Sequence, residues 1–102
     1  MKLKLHHVPN PDIPGGYYDE YEHPVNDYLV EVRTLAFASG IYRDWIDNNN
    51  LGGGNIAQDS GRLYDVNGDH FATISFNGRV WSIDGQMMYD PANGYIAVTM
   101  KF

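Results

Sequence analysis

Cysteine is absent from the chain, so disulfides, thiolate metal sites and cysteine nucleophiles are excluded together. The absence is compatible with a reducing compartment, and a cytoplasmic location is the expectation. Positive charge is scarce: seven basic residues stand against thirteen acidic ones, a formal net charge of −6. A field of that sign opposes direct nucleic-acid binding, because phosphates need cationic neutralisation, and it favours a partner with a basic surface. Long apolar runs are missing too, so no segment is expected to span a membrane. The first residues, MKLKLHHVPN, alternate apolar and polar positions and read as a strand rather than a signal peptide.

What is present, 102 residues of which 43% are hydrophobic and 20% charged, fits one globular domain. A chain of this size buries roughly two-thirds of its unfolded surface. The expected class is α+β: one long amphipathic helix packed on a five- or six-stranded antiparallel β-meander. Residues 1–25 hold an N-terminal strand, 2–8, and a loop. Four prolines and two glycines forbid regular structure in that loop, yet Tyr17, Tyr18 and Tyr21 stand among Asp19, Glu20 and Glu22. The helix is expected over 26–47, with Asn26 as N-cap and Leu29, Val32, Leu35 or Ala36, Ser39 and Tyr42 at helical spacing. Asparagines 48–50 and glycines 52–54 stop it. Residues 48–61 read as a flexible, glycine-rich polar loop with little to pack. The glycines do not read as a phosphate cradle, because a helix precedes them and strands follow.

The meander occupies 62–102, with strands expected at 62–66, 69–76, 79–83, 86–90 and 95–102. Asn67-Gly68, Asn77-Gly78 and Asp84-Gly85 are hairpin signals, since the Asn-Gly pair suits the positive φ angles of a type I′ turn. Two-residue turns would place Leu63 opposite Ala72, Ile74 opposite Trp81 and Ala72 opposite Ile83. One face then carries Leu63, Ala72, Ile74, Phe76, Trp81 and Ile83 and seats the helix. The other carries Tyr64, Phe71, Thr73, Ser75, Val80 and Ser82, continued by Met87, Tyr89, Ile96, Val98, Met100 and Phe102. This second face is too apolar to stay bare. A bulge that flips the register, a cover formed by residues 16–22, or a second subunit would each resolve it.

Signals for chemistry are weak. The run Asp65–Asp69 has oxygen ligands at alternate positions, but His70 and Phe76 stand where a calcium loop needs glycine and glutamate, so a hairpin turn is favoured. His6 and His7 point to opposite faces of a strand and do not readily share one metal; a site built from His6 or His7 with His23 and carboxylates is conceivable, and surface histidines are favoured over it. No metal or cofactor is expected. No nucleophile elbow surrounds Ser39, Ser60, Ser75 or Ser82. The stretch from His70 to Asp84 resembles the histidine–aspartate hairpin of papain-like and transglutaminase-like hydrolases. The resemblance covers about fifteen residues and implies a small or degenerate hydrolase centred on His70. The family's cysteine nucleophile has no counterpart, Tyr28 being a poor substitute, and the register above sets His70 and Asp84 on opposite faces.

The expected function is therefore a small acidic, non-enzymatic protein-binding or inhibitor-type domain. By analogy it suits a phage or mobile element acting on a basic, nucleic-acid-binding host protein. Tyr17, Tyr18, Asp19, Glu20, Tyr21 and Glu22 are the first candidates for its contact surface, as aromatic anchors inside a steering acidic field. A homodimer through the second sheet face, the hydrolase, and a structural oligomer subunit are the competing expectations.

Overall fold

Leu3 and Leu5 alternate with Lys2, Lys4 and His6, and that period of two becomes strand β1, Lys2–His6, whose leucines are buried. In the computed structural model, which describes residues 1–8 and 27–96, β1 is not at the sheet edge. It pairs on one side with β2, Asp27–Glu31, and on the other with β3, Arg62–Tyr64. The meander continues through β4 (His70–Ile74), β5 (Val80–Ser82), β6 (Met87–Asp90) and β7 (Gly94–Tyr95). Among the described residues the result is one seven-stranded sheet of order β2-β1-β3-β4-β5-β6-β7, every pair antiparallel, with one α-helix. The α+β class holds, and the sheet is larger than the five or six strands expected.

The helix α1 spans Leu35–Asn48, not 26–47. Tyr28, Val30 and Val32 also alternate with period two, and the free edge of β1 decided between the two readings. Leu5 lies opposite Tyr28 and Leu3 opposite Val30, so Tyr28 and Val30 share the face of the buried leucines. Asn26, the expected cap, lies outside the described residues. Thr34 caps the helix, its Oγ1 accepting from Phe37 N at 3.0 Å. At the other end Asn50 takes a left-handed φ of 52°. Leu51 N donates to Ile46 O at 3.0 Å and Asn50 N to Asp47 O at 3.3 Å, a Schellman closure with Leu51 and Ile46 both buried.

Ala38, Ser39, Tyr42, Trp45 and Ile46 form the buried stripe of α1. They meet Leu3, Leu5, Leu63, Ala72, Ile74 and Val80 from the sheet in a single core. Trp45 stacks on buried His7, ring centroids 5.7 Å apart. Tyr42 is nearly sealed, and burial pushes its phenol pKa up against the opposing hydrogen bond with Ser60. The helix enters from β2 at one edge of the sheet, yet Ala36 N donates to Tyr95 Oη on β7 at the other edge, 3.1 Å away. The sheet therefore curls around the helix.

The segment after α1 is tied down, contrary to a loop with little to pack. Val8 N donates to Asn55 O, Ala57 N to His6 O and Gly61 N to Lys4 O, so the chain runs along the end of β1 that β3 leaves free. Leu51 and Ser60 are buried within it.

The register also differs from expectation by one residue across β4 and β5. Ile74 lies opposite Val80, and Thr73 opposite Trp81. A shift of one residue exchanges the faces of a strand, so Val80 enters the core and Trp81 moves to the far side. The reason is the turn. Among the described non-glycine residues only Asn50 has a positive φ, so Asn67 and Asn77 are not in type I′ turns. Ser75 N donates to Arg79 O and Gly78 N to Ser75 O, which makes a three-residue connection with the left-handed position at Gly78. A second irregularity, between Val80 and Trp81, sets Tyr89 opposite Val80. A bulge thus answers the apolar-face problem for Tyr89, while Val98, Met100 and Phe102 lie outside the described residues.

Candidate interaction surface

The same turn occurs three times. Asp65-Val66-Asn67-Gly68-Asp69, Ser75-Phe76-Asn77-Gly78-Arg79 and Ser82-Ile83-Asp84-Gly85-Gln86 share one hydrogen-bond pattern, the first residue bonded to the fifth and the fourth to the first. The first side chain organises each turn. Asp65 Oδ1 accepts from Asn67 N and Asp69 N. Ser75 Oγ donates to Asn77 Oδ1, and Ser82 Oγ donates to Asp84 Oδ1, which holds the Asp84 carboxyl below its ordinary pKa. The Asp65 carboxylate is thus a turn element, in line with the hairpin reading.

The second position of each turn has no such duty, and it carries an apolar side chain in solvent: Val66 is 95% exposed, Ile83 69% and Phe76 51%. In an antiparallel meander alternate turns lie at the same end, so the β3–β4 and β5–β6 turns share one end and present Val66 and Ile83 together. Asp65 and Asp69 belong to the same turn as Val66, and Asp84 follows Ile83 in the other. Next to Val66 a groove of about 310 Å³ is lined by Lys2, Leu29, Tyr64, Asp65, Val66 and Gly68. Leu29 is itself half exposed. Sequence reading missed this surface, although its signal was visible as an apolar residue between two turn-forming ones.

The hydrolase constellation is not assembled. His70 Nε2 is 2.8 Å from Thr73 Oγ1 and the ring packs against Tyr64, whereas Asp84 is bonded to Ser82. His6 and His7 do face opposite ways. His7 goes to the helix side, and His6 bonds through Nδ1 to Asp59 Oδ1 at 2.7 Å on the open side. A carboxylate only accepts, so Nδ1 carries the proton. Lys4 pairs with Asp27 and lies 3.9 Å from Asp59, and its pKa is raised chiefly by the hydrogen bond to Asp27. Burial pushes the Asp59 carboxyl up, but the bond and charge of His6 and the charge of Lys4 outweigh it and leave the pKa lowered. This network cross-links β1, β2 and the segment before β3. Among the described residues no group of three or more histidines and carboxylates could hold a metal ion, and no helix is long and apolar enough to cross a membrane.

The residues expected first as a contact surface, Tyr17, Tyr18, Asp19, Glu20, Tyr21 and Glu22, lie outside the described residues, as does His23. No protein-family model matches the chain, and neither a curated protein nor a solved structure does.

Proposed function

We propose that the chain is a non-enzymatic, acidic protein-binding domain of the inhibitor type, directed at a protein with a basic surface. A nucleic-acid-binding host protein met by a phage or mobile element fits that description. The observation that carries the reading is the pair of bare apolar side chains, Val66 and Ile83, projecting from one end of the sheet among Asp65, Asp69 and Asp84. An apolar centre ringed by charge of one sign is the anatomy of an interface with a complementary partner. The net charge of −6 extends the same field over the whole molecule. Tyr17, Tyr18 and Tyr21, with Asp19, Glu20 and Glu22, would add anchors and charge of the same kind.

The test compares capture of proteins by the wild type and by a Val66→Ser/Ile83→Ser double variant, at low and high salt. A stoichiometric basic partner, retained by the wild type at low salt and lost by the variant, supports the reading. Asp69→Asn, or alanine at Asp19, Glu20 and Glu22, should slow association and flatten its salt dependence. Equal capture by wild type and double variant removes the turn tips from the interface. Self-association unaffected by the turn variants would instead favour a homodimer through the second sheet face.

A further inference from the structure

We propose that the cleft between α1 and the β6–β7 turn binds a phosphoryl group carried on a small organic molecule, with Arg43 and Arg79 as its clamp. The cleft measures about 370 Å³ and is lined by Arg43, Asn77, Arg79, Asp90, Pro91 and Ala92. It lies at the opposite end of the sheet from Val66 and Ile83 and does not depend on them.

Two of the seven basic residues of an acidic chain converge on this one cleft. Juxtaposed like charges are unfavourable unless something of opposite sign sits between them. Arg43 has an obvious partner one helical turn away in Asp47, at the i, i+4 spacing that favours ion pairs. It does not take that partner: among the described residues Arg43 makes no ion pair or hydrogen bond. Its stem instead lies across the β4–β5 turn. A β-carbon on Gly78 would come within 2.5 Å of Arg43 Cδ and 2.9 Å of Pro91 Cγ, so only glycine lets the three segments meet this way. Ser39 Oγ donates to Gly78 O at 2.6 Å and holds the turn against the helix that carries Arg43.

Asp90 is the ion-pair partner of Arg79 and offsets only one of the two guanidinium charges. Its Oδ1 accepts from Ala92 N and its Oδ2 from Asn93 Nδ2, so both oxygens serve the turn. Arg79 Nε lies 3.8 Å from Oδ1, and among the described residues its terminal amino groups have no partner. Two planar forks with free donors suit a tetrahedral oxyanion. The cleft is larger than a lone phosphate needs, and Pro91 and Ala92 give it an apolar wall for an attached carbon skeleton.

The test is a titration of the full chain with ribose 5-phosphate, inorganic phosphate and ribose, followed through the side-chain resonances of Arg43, Arg79 and Asn77. Ribose 5-phosphate is expected to shift all three and to bind more tightly than inorganic phosphate, with ribose inert. Arg43→Gln and Arg79→Gln should each weaken binding about tenfold, the loss of one charge-assisted contact. Arg43→Lys should fall between, because it keeps the charge and loses the fork. Arg43 is exposed and has no ion pair among the described residues, so its variant keeps the test open if Arg79→Gln disturbs the turn. Equal affinity for the two phosphates would overturn the organic ligand and leave the phosphoryl site. No shift with either, or an equal loss in an Arg33→Gln control elsewhere on the surface, would overturn the site.

Discussion

Gly61 offers a direct measure of how rigid the junction of helix and sheet is. Its φ is +84°, and a β-carbon placed on it would lie 2.5 Å from the Ile74 carbonyl oxygen and 3.2 Å from the Tyr42 ring and hydroxyl. Gly61 N donates to Lys4 O and Gly61 O accepts from Ile74 N, so the residue joins β1 to β4 through its backbone. Gly68 has the same φ, +84°, with nothing within 4 Å of the added carbon. The two alanine variants therefore share the conformational penalty and differ in the clash. The shared penalty is about 1–2 kcal/mol for a left-handed non-glycine residue. The loss of backbone freedom in the unfolded chain is common to both and cancels in the comparison.

The clash at Gly61 involves a carbonyl oxygen and a sealed tyrosine ring, neither of which is the loose end of a side chain. Overpacking of that kind costs about 1–3 kcal/mol more. Gly61→Ala should thus lose about 2–5 kcal/mol in all, a large share of the roughly 5–15 kcal/mol that holds a domain of this kind folded. Urea unfolding followed by far-UV circular dichroism and by tryptophan fluorescence measures both variants. With a slope of about 1–3 kcal/mol/M, the midpoint of Gly61→Ala should fall clearly below that of Gly68→Ala. Coincident midpoints would refute the reasoning: the Ile74 carbonyl would then step aside at no cost, and the helix would not be held to the sheet at this point.

Thr34→Ala removes the acceptor for Phe37 N and should cost about 1 kcal/mol, read as a lowered melting temperature, if the helix begins at Leu35 and not at 26. The carboxyls of Asp59, Asp84 and Asp90 all have lowered pKa values, that of Asp90 chiefly through the Ala92 amide. A depressed carboxyl contributes stability that is present above its unfolded value, about 3.9, and is lost as pH falls through the folded value. Stability should accordingly be level near neutrality and decline below about pH 4, and Asp90→Asn should flatten the acid limb of a pH–stability profile. A limb of unchanged slope would remove Asp90 from the acid response.

The parts of the fold legible in the sequence are those where local chemistry and tertiary context agree. The alternation in β1 and the Asn-Gly punctuation of the meander placed most strands within a residue or two. Residues 27–34 were illegible because Tyr28, Val30 and Val32 satisfy a period of two while Leu29, Val32 and Leu35 satisfy a helical one. Only the vacant edge of β1 separates the two, and that is a contact distant in sequence. The β4–β5 register failed for a smaller reason. Asn-Gly serves both a two-residue turn and the last two places of a three-residue one, and the difference of one residue sends Trp81 and Val80 to opposite faces. The arginine cleft was invisible because Arg43 and Arg79 meet only through the fit of Gly78 between helix and turn.

The repeated turn bears most directly on function because its requirements can be separated position by position. The first side chain must accept or donate within the turn, the third is Asn or Asp, and the fourth is a glycine with φ between 84° and 89°. The second position of such a turn accepts most residues, so nothing in the turn calls for valine, phenylalanine or isoleucine. A polar residue there would fold as well and keep better company with water. Three apolar choices out of three, in a chain with thirteen acidic residues, therefore need a cause outside the turn. At Phe76 a cause is close by, since that ring shares a cleft with Arg43, Ile46 and Asp47 of α1. Val66 and Ile83 have none within the described residues that would bury them, and it is the bareness of those two, more than the net charge, that calls for a partner.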